Sequence, residues 1–277
     1  MDRARRPETF GTQLRRWRQN RGLSQLALSQ AAEVSTRHLS WLETDKSEPS
    51  RAMVLRLADR LDLPLRERNA LLLAAGFAPL YGEHALADAA LTPAREALQR
   101  LLKAHEPAPA LAVDRHWNIV AANAMVQPLL HWVAPELRKP PINSLRISLH
   151  PQGLAPMMLN LATWREHALA RLQRQVQLTG DPVLAALHRE LSALPPPAAP
   201  PRADAADRPE ATDPADAVIV PLTFVTPLGR LCFLSTVTVF GAPHEVTLAE
   251  LAVETLLPAD AATAAVLAQV YARIGAG

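Results

Sequence analysis

Residues 24–50, SQLALSQAAEVSTRHLSWLETDKSEPS, decide the reading of the first third of the chain. Ser24 and Ser35 are both of the type that caps a helix N-terminus by accepting a backbone N–H. Leu28 and Ala31 are expected to face inward after the first start, and Leu39 and Leu42 lie at i, i+3 spacing after the second. Two short helices joined by a tight turn would bring both starts to one surface. In helix-turn-helix recognition the first helix crosses the phosphate backbone, and the second lays its N-terminal residues on base edges. Gln25 is therefore expected to donate to a phosphate. Ser35, Thr36 and Arg37 open the reading helix, and arginine bidentate to guanine is the commonest specific contact. Ser40 and Trp41 follow one turn later. Trp41 falls outside the inward stripe, which leaves its ring for a thymine methyl or a sugar. Lys46 and Arg51 are expected phosphate contacts. A plain helical bundle would use the same Ser, Thr and Gln only as caps; the conjunction of spacing, charge and the Arg37–Trp41 pair favours DNA.

The flanking sequence extends this unit. A helix is predicted from about Thr9 to Asn20, with Phe10, Leu14 and Trp17 on one stripe and Arg15, Arg16 and Arg18 around the rest. Pro49-Ser50 opens a fourth helix carrying Val54, Leu57, Ala58 and Leu61, and a fifth ends at Ala75-Gly76. Charge is uneven. Residues 1–80 carry 14 Lys+Arg against 9 Asp+Glu, while 81–277 carry 15 against 18, for a net charge of +2. A basic head on a mildly acidic body suits a polyanion at the head alone.

The whole chain, at 277 residues and 49% hydrophobic, has the length of about two domains and the apolar content to fill their cores. No uncharged apolar run of about 18 residues is present to span a membrane, and MDRARRPETF has no apolar stretch behind its charges to act as a secretory signal. A single cysteine, Cys232, fits a reducing cytoplasm, and its place in a strand predicts an apolar packing role.

Beyond the head the pattern changes period. Residues 78–91 read as a connector, and Thr92-Pro93 opens a helix to about His105. ALAVDRHWNIVAAN (110–123) reads as strand, turn, strand, followed by a helix from Ala122 to Trp132. Pro156 is expected to open a long helix to Leu178, and Asp181-Pro182 another. Residues 195–216 hold seven prolines and few large apolar side chains, which predicts a mobile loop. Strands are predicted at 217–225, 229–240 and 250–257, before a last helix from about Ala261 to Ile274. The fold class is α+β: an all-α head of five helices, then a domain with a five-stranded antiparallel sheet. The domain boundaries expected are 1–78, a connector and linker helix at 79–105, and 106–277.

Enzyme readings find little support. The nine histidines include no HExxH pair, one cysteine cannot make a Cys-rich zinc site, and no GxGxxG, phosphate loop or GxSxG occurs. A haem would need one histidine, for which His116 or His150 would serve.

The segment over about residues 9–75 resembles the Xre/Cro-type regulators, through Ser24, Gln25, Leu28, Ala31, Val34, Ser35, Leu39, Ser40, Leu42, Glu43 and Pro49-Ser50. It departs from them at Glu33 and Asp45, where glycine is usual. Asp45 can adopt a left-handed backbone; Glu33 is less suited and calls for a longer turn. The stretches PLRERN (64–69), LLLAAGFAPLY (71–81), TRHLSWLET (36–44), LHPQGLAP (149–156) and LPADAATA (257–264) resemble the MmyB-like regulators across essentially the whole chain. That resemblance implies a PAS-like C-terminal domain that holds a fatty acid, and hence a ligand-responsive transcription factor with no required cofactor. An apolar cavity would be lined by Trp117, Met157, Met158, Leu161, Phe224 and Phe233, with Asn143, Arg146 and His150 as donors to a carboxylate head. Double-stranded operator DNA, a second copy of the chain and a hydrophobic effector are the expected partners, with no membrane. Two other readings of residues 81–277 remain open: a dimerisation module with a filled core, and an antitoxin-type docking domain.

Overall fold

The computed structural model describes residues 8–195, 221–241 and 243–275. The expected mobile loop lies outside the described residues from position 196 onward. Contacts divide the chain into two compact units. The first holds the residues up to His84, with Gln177–Thr179 and a segment ending at Ala249; the second holds the rest.

The first unit contains the five expected helices: α1 (Phe10–Asn20), α2 (Gln25–Ala31), α3 (Thr36–Glu43), α4 (Arg51–Arg60) and α5 (Leu65–Ala74). Helices this short are marginal alone, so their ends and packing carry them. Thr9, Ser24, Ser35 and Ser50 each accept the N–H three residues on, from Thr12, Ala27, His38 and Met53. Phe10, Leu14, Trp17, Leu28, Leu39, Leu42, Val54, Leu57, Leu61, Leu71 and Leu72 form one buried core. Two expectations differ from the structure. Ala31 is exposed and its neighbour Ala32 is the buried one, because Ala32, which ends α2, stands four residues after Leu28 on the same face. Arg18 does not lie on the outer face: it is buried, one turn after Leu14.

Both departures from the family's glycine positions have a physical account. Glu33 takes the left-handed conformation itself (φ 56°), without the longer turn expected of it. Asp45 does the same (φ 55°) and uses its carboxylate. Its Oδ1 accepts the Gly11 N–H at 2.8 Å and its Oδ2 accepts the Thr9 hydroxyl at 2.6 Å. The loop leaving α3 is thereby tied to the first turn of α1, where a carboxylate also satisfies orphan N–H groups. Gly11 permits the approach, since a Cβ there would lie 2.5 Å from the Leu42 carbonyl oxygen.

The second unit runs α6 (Thr92–Ala104), β1 (Ala110–Val113), β2 (Ile119–Ala122), α7 (Val126–Leu130), α8 (Ser144–Leu149), α9 (Leu161–Thr179), α10 (Pro182–Ser192), β3 (Pro221–Thr226), β4 (Gly229–Val239), β5 (Ala252–Pro258) and α12 (Ala261–Gly275). The last residues of α9 and the short α11 (Val246–Ala249) belong to the first unit. The sheet is antiparallel throughout, in the order β2-β1-β5-β4-β3. The early pair β1 and β2 thus joins the last strand through β1, with helices intervening in sequence. The helix expected from Ala122 is shorter, and the one expected from Pro156 begins at Leu161 after a 3-10 turn. Gly153 shapes the turn that precedes it. Leu154 N–H bonds the Ile147 carbonyl at 2.8 Å, and a Cβ on Gly153 would lie 2.2 Å from the same oxygen.

Val113 packs with Leu172 of α9 and with Leu184, Leu187 and Leu191 of α10. A second cluster joins Met125, Met158, Leu222, Phe224, Leu231, Phe233 and Leu267. Cys232 is half-buried on β4 with its Sγ 3.5 Å from the Thr223 hydroxyl, a packed thiol in a ladder. No helix among the described residues is long and apolar enough to cross a membrane.

Candidate DNA-reading surface and apolar cavity

On α3, Thr36, Arg37 and Trp41 are exposed while Leu39 and Leu42 are fully buried. Trp41 keeps 40% of its surface open, which fixes it outside the core. The Arg37 guanidinium lies 4.6 Å from the Trp41 ring centroid, so the two present a stacked cation and ring. Thr36 Oγ1 is 3.0 Å from Ser29 Oγ, which links the first turn of α3 to α2. Ser35 serves as the α3 cap, and Ser40 is half-buried with its carbonyl accepting the Thr44 hydroxyl. Lys46 and Arg51 are exposed.

Gln25 is placed differently from its neighbours. Its side-chain amide donates to Glu43 Oε2 at 2.8 Å, within a cluster that sequence reasoning did not foresee. Arg18 donates through Nε to Glu43 Oε1 at 2.5 Å, through Nη2 to Oε2 at 3.0 Å and through Nη1 to the Leu23 carbonyl at 2.7 Å. Burial alone would push the Glu43 carboxyl up. The hydrogen bonds from Arg18 and Gln25 and the nearby guanidinium charges outweigh it and hold the group below the usual glutamate range. The hydrogen bond to Glu43 likewise raises Arg18 against burial. The pair sets α1 against the end of α3.

The second unit holds a partly enclosed cavity of about 90 Å³, lined by Leu111, Trp117, Ile119, Val126, Leu129, Leu130, Ser144, Leu145, Ile147, Ser148, Leu154, Trp164, His167, Ala168, Arg171, Leu222, Phe224, Ser235, Glu254 and Leu256. Of the six apolar residues anticipated there, Trp117 and Phe224 line it. Met158 and Phe233 are buried in the adjacent cluster, with Met157 and Leu161 packed against it. The three expected head-group donors point elsewhere. Asn143 caps α8 by accepting the Arg146 N–H at 3.1 Å and donates to the His116 carbonyl at 2.8 Å. Arg146 makes a bidentate pair with Glu190 at 2.6 and 2.7 Å, which raises the guanidinium and lowers the carboxyl. His150 accepts the Gln152 N–H at 3.0 Å.

The polar groups that do reach the cavity were passed over in the sequence. Arg171 donates to Glu254 Oε1 at 3.2 Å, and its guanidinium lies 4.4 Å from the Trp117 ring centroid. Burial pushes the Glu254 carboxyl up, and the charge and hydrogen bond of Arg171 offset this only in part. Ser144 Oγ is shielded from solvent and meets no hydrogen-bond partner among the described residues. Ser148 accepts the Trp164 indole N–H at 2.7 Å, and Trp164 stacks on His167 at 5.9 Å. A charged residue in the middle of a central strand, as Glu254 is in AVETLLP, was the available signal. Among the described residues no group of three or more His, Cys, Asp or Glu is placed to hold a metal ion. His116 is paired with Asp181 at 2.9 Å.

Residues 9–71 match the family model of a helix-turn-helix domain. A helix-turn-helix head joined to a ligand-binding body is the make-up of a ligand-responsive transcription regulator. Residues 94–270, more than half of the chain, match the family model described as the MmyB-like transcription regulator ligand binding domain, and the chain belongs to that MmyB-like family. No curated protein matches it. Among solved structures, an RNA-binding Light-Oxygen-Voltage receptor aligns over 96% of this chain at 14% identity with a TM-score of 0.24. This chain spans 63% of that receptor's length, and likeness at such a score carries no argument.

Proposed function

We propose that the protein is a cytoplasmic, homodimeric regulator that reads a double-stranded operator through α3 and senses a hydrophobic small molecule, a fatty acid or acyl compound, in a PAS-like C-terminal domain. Thr36, Arg37 and Trp41 carry the base-edge contacts; Ser35, Ser40, Lys46 and Arg51 border them. Gln25 reaches a phosphate only by sharing its amide with Glu43. One helix-turn-helix reads too few base pairs for useful specificity, and two-fold pairing doubles the site. The strand order β2-β1-β5-β4-β3 supports the PAS-like reading.

The observation that carries ligand sensing is the apolar cavity with a few converging polar groups, the usual form of a small-molecule site. It favours a sensor over a dimerisation or antitoxin-type module, which would fill that space. Native mass spectrometry of the purified protein, followed by denaturing release, tests it. A retained acyl compound of a few hundred daltons supports the reading. An empty protein that also binds no added acyl compound returns the body to the dimerisation module.

A further inference from the structure

Most of the cavity wall is aliphatic or aromatic, yet three polar groups gather around Trp117. Arg171 stacks on its ring, Ser144 N–H donates to its carbonyl at 2.9 Å, and Glu254 holds Arg171 through one contact at 3.2 Å. Trp117 itself is at φ 69°, a left-handed backbone that is unfavourable for a bulky residue. Its indole N–H donates to Gln175 at 2.8 Å, so the ring and its strained backbone are fixed from two sides.

The charges define what the wall accepts. Arg171 and Glu254 together are neutral. In the sheet, uncharged Leu111 and Val237 lie directly across from Glu254; α9 supplies Arg171 and, on the same cavity wall, His167. A bare carboxylate entering beside Arg171 would set two negative charges against that one guanidinium, among apolar side chains. Two carboxylates sharing such a site hold one proton between them, since both cannot stay ionised.

We infer that the cavity binds a carboxylic-acid amphiphile together with one proton from solvent, the acid's head meeting Arg171 and the Ser144 hydroxyl while sharing that proton with Glu254. The inference rests on the ligand-sensing reading above. It gives the Ser144 hydroxyl the partner it lacks among the described residues and leaves the site electrically neutral. The apolar tail lies along the aliphatic wall.

Calorimetric titration of the full-length protein with decanoic acid and with 1-decanol, from about pH 6 to about pH 9 in buffers of different ionisation heat, tests it. The expected Kd for the acid rises toward about tenfold per pH unit at the alkaline end, with about one proton taken up per acid bound. The alcohol binds with a flat profile. Glu254→Gln, whose amide stands in for the protonated carboxyl, binds the acid with the slope removed. A flat acid profile in the unmodified protein overturns the inference, as does a slope that persists in Glu254→Gln. Binding of the alcohol but not the acid removes the head-group assignment and leaves ligand sensing standing. Binding of neither removes both.

Discussion

Each unit contains a shielded Arg–Glu pair, and the two pairs are built for different ends. Arg18 and Glu43 meet through two hydrogen bonds, and the Leu23 carbonyl and the Gln25 amide take up much of what remains. Arg171 and Glu254 meet through one, beside a partly enclosed cavity. The first carboxyl is held below its ordinary value and the second above it. The same residue types at similar separations therefore give a fastener in one place and a chargeable wall in the other. Burial raises both carboxyls, and only at Glu43 do enough hydrogen bonds outweigh it, because a buried ion repays its desolvation only when its remaining lone pairs and protons are satisfied.

The largest test of this contrast is Glu43→Ala. It strands Arg18 in the core and should destabilise the head by about 3–5 kcal/mol, read as a lower urea midpoint for helix loss. Replacing both partners with apolar residues of matching volume should return most of that loss; a double variant as unstable as the single would show that the pair does more than satisfy itself. Gly153→Ala comes next. Forcing a Cβ against the Ile147 carbonyl should cost the second unit about 1–3 kcal/mol while DNA affinity stays unchanged. Arg37→Ala should leave thermal stability intact and lose about 1–3 kcal/mol of discrimination at one operator position, measured by binding to single-base variants. Unchanged sequence preference would show that α3 enters DNA in a different register.

The smallest effect concerns pH, and its sign differs between the two pairs. The Glu43 pair's contribution is present above the ordinary glutamate range and vanishes as pH falls through its lower folded value. Burial of Glu254 acts the other way: its contribution is full below the ordinary range and is lost as pH rises through its higher folded value. Amide protection factors corrected for intrinsic exchange, taken at about pH 7 and about pH 5, should rise for β5 on acidification and stay level for α3. A parallel response in both elements would erase the distinction.

The head was legible because its signals are local. Ser24, Ser35 and Ser50 announce helix starts within three residues of the N–H groups they cap, and Leu39 and Leu42 fix which side of α3 is inward, leaving Trp41 out. Arg18 was misplaced because its partner lies 25 residues away, and a stripe argument assigns arginine to solvent by default. The body's strands were found from composition and turns, and their count agreed with the sheet. The cavity was harder to read. Asn143, Arg146 and His150 are close in sequence, but each meets a different partner and none lines the cavity, while Arg171 and Glu254 meet across 83 residues. Apolar residues carry no mark of whether they face a filled core or a void, so Met158 and Phe233 read the same as Phe224.

The fixing of Trp117 has a consequence for how such a sensor diversifies. Its backbone, ring and indole nitrogen are each committed to a neighbour, and substitution there would disturb α8 and α9 together. Leu129, Leu130 and Ile147, on the same wall, contribute shape alone. Variation among descendants of this gene can exchange those aliphatic side chains one at a time and alter the length or branching of the effector accepted. One polar anchor would then serve a lineage of regulators tuned to different signals.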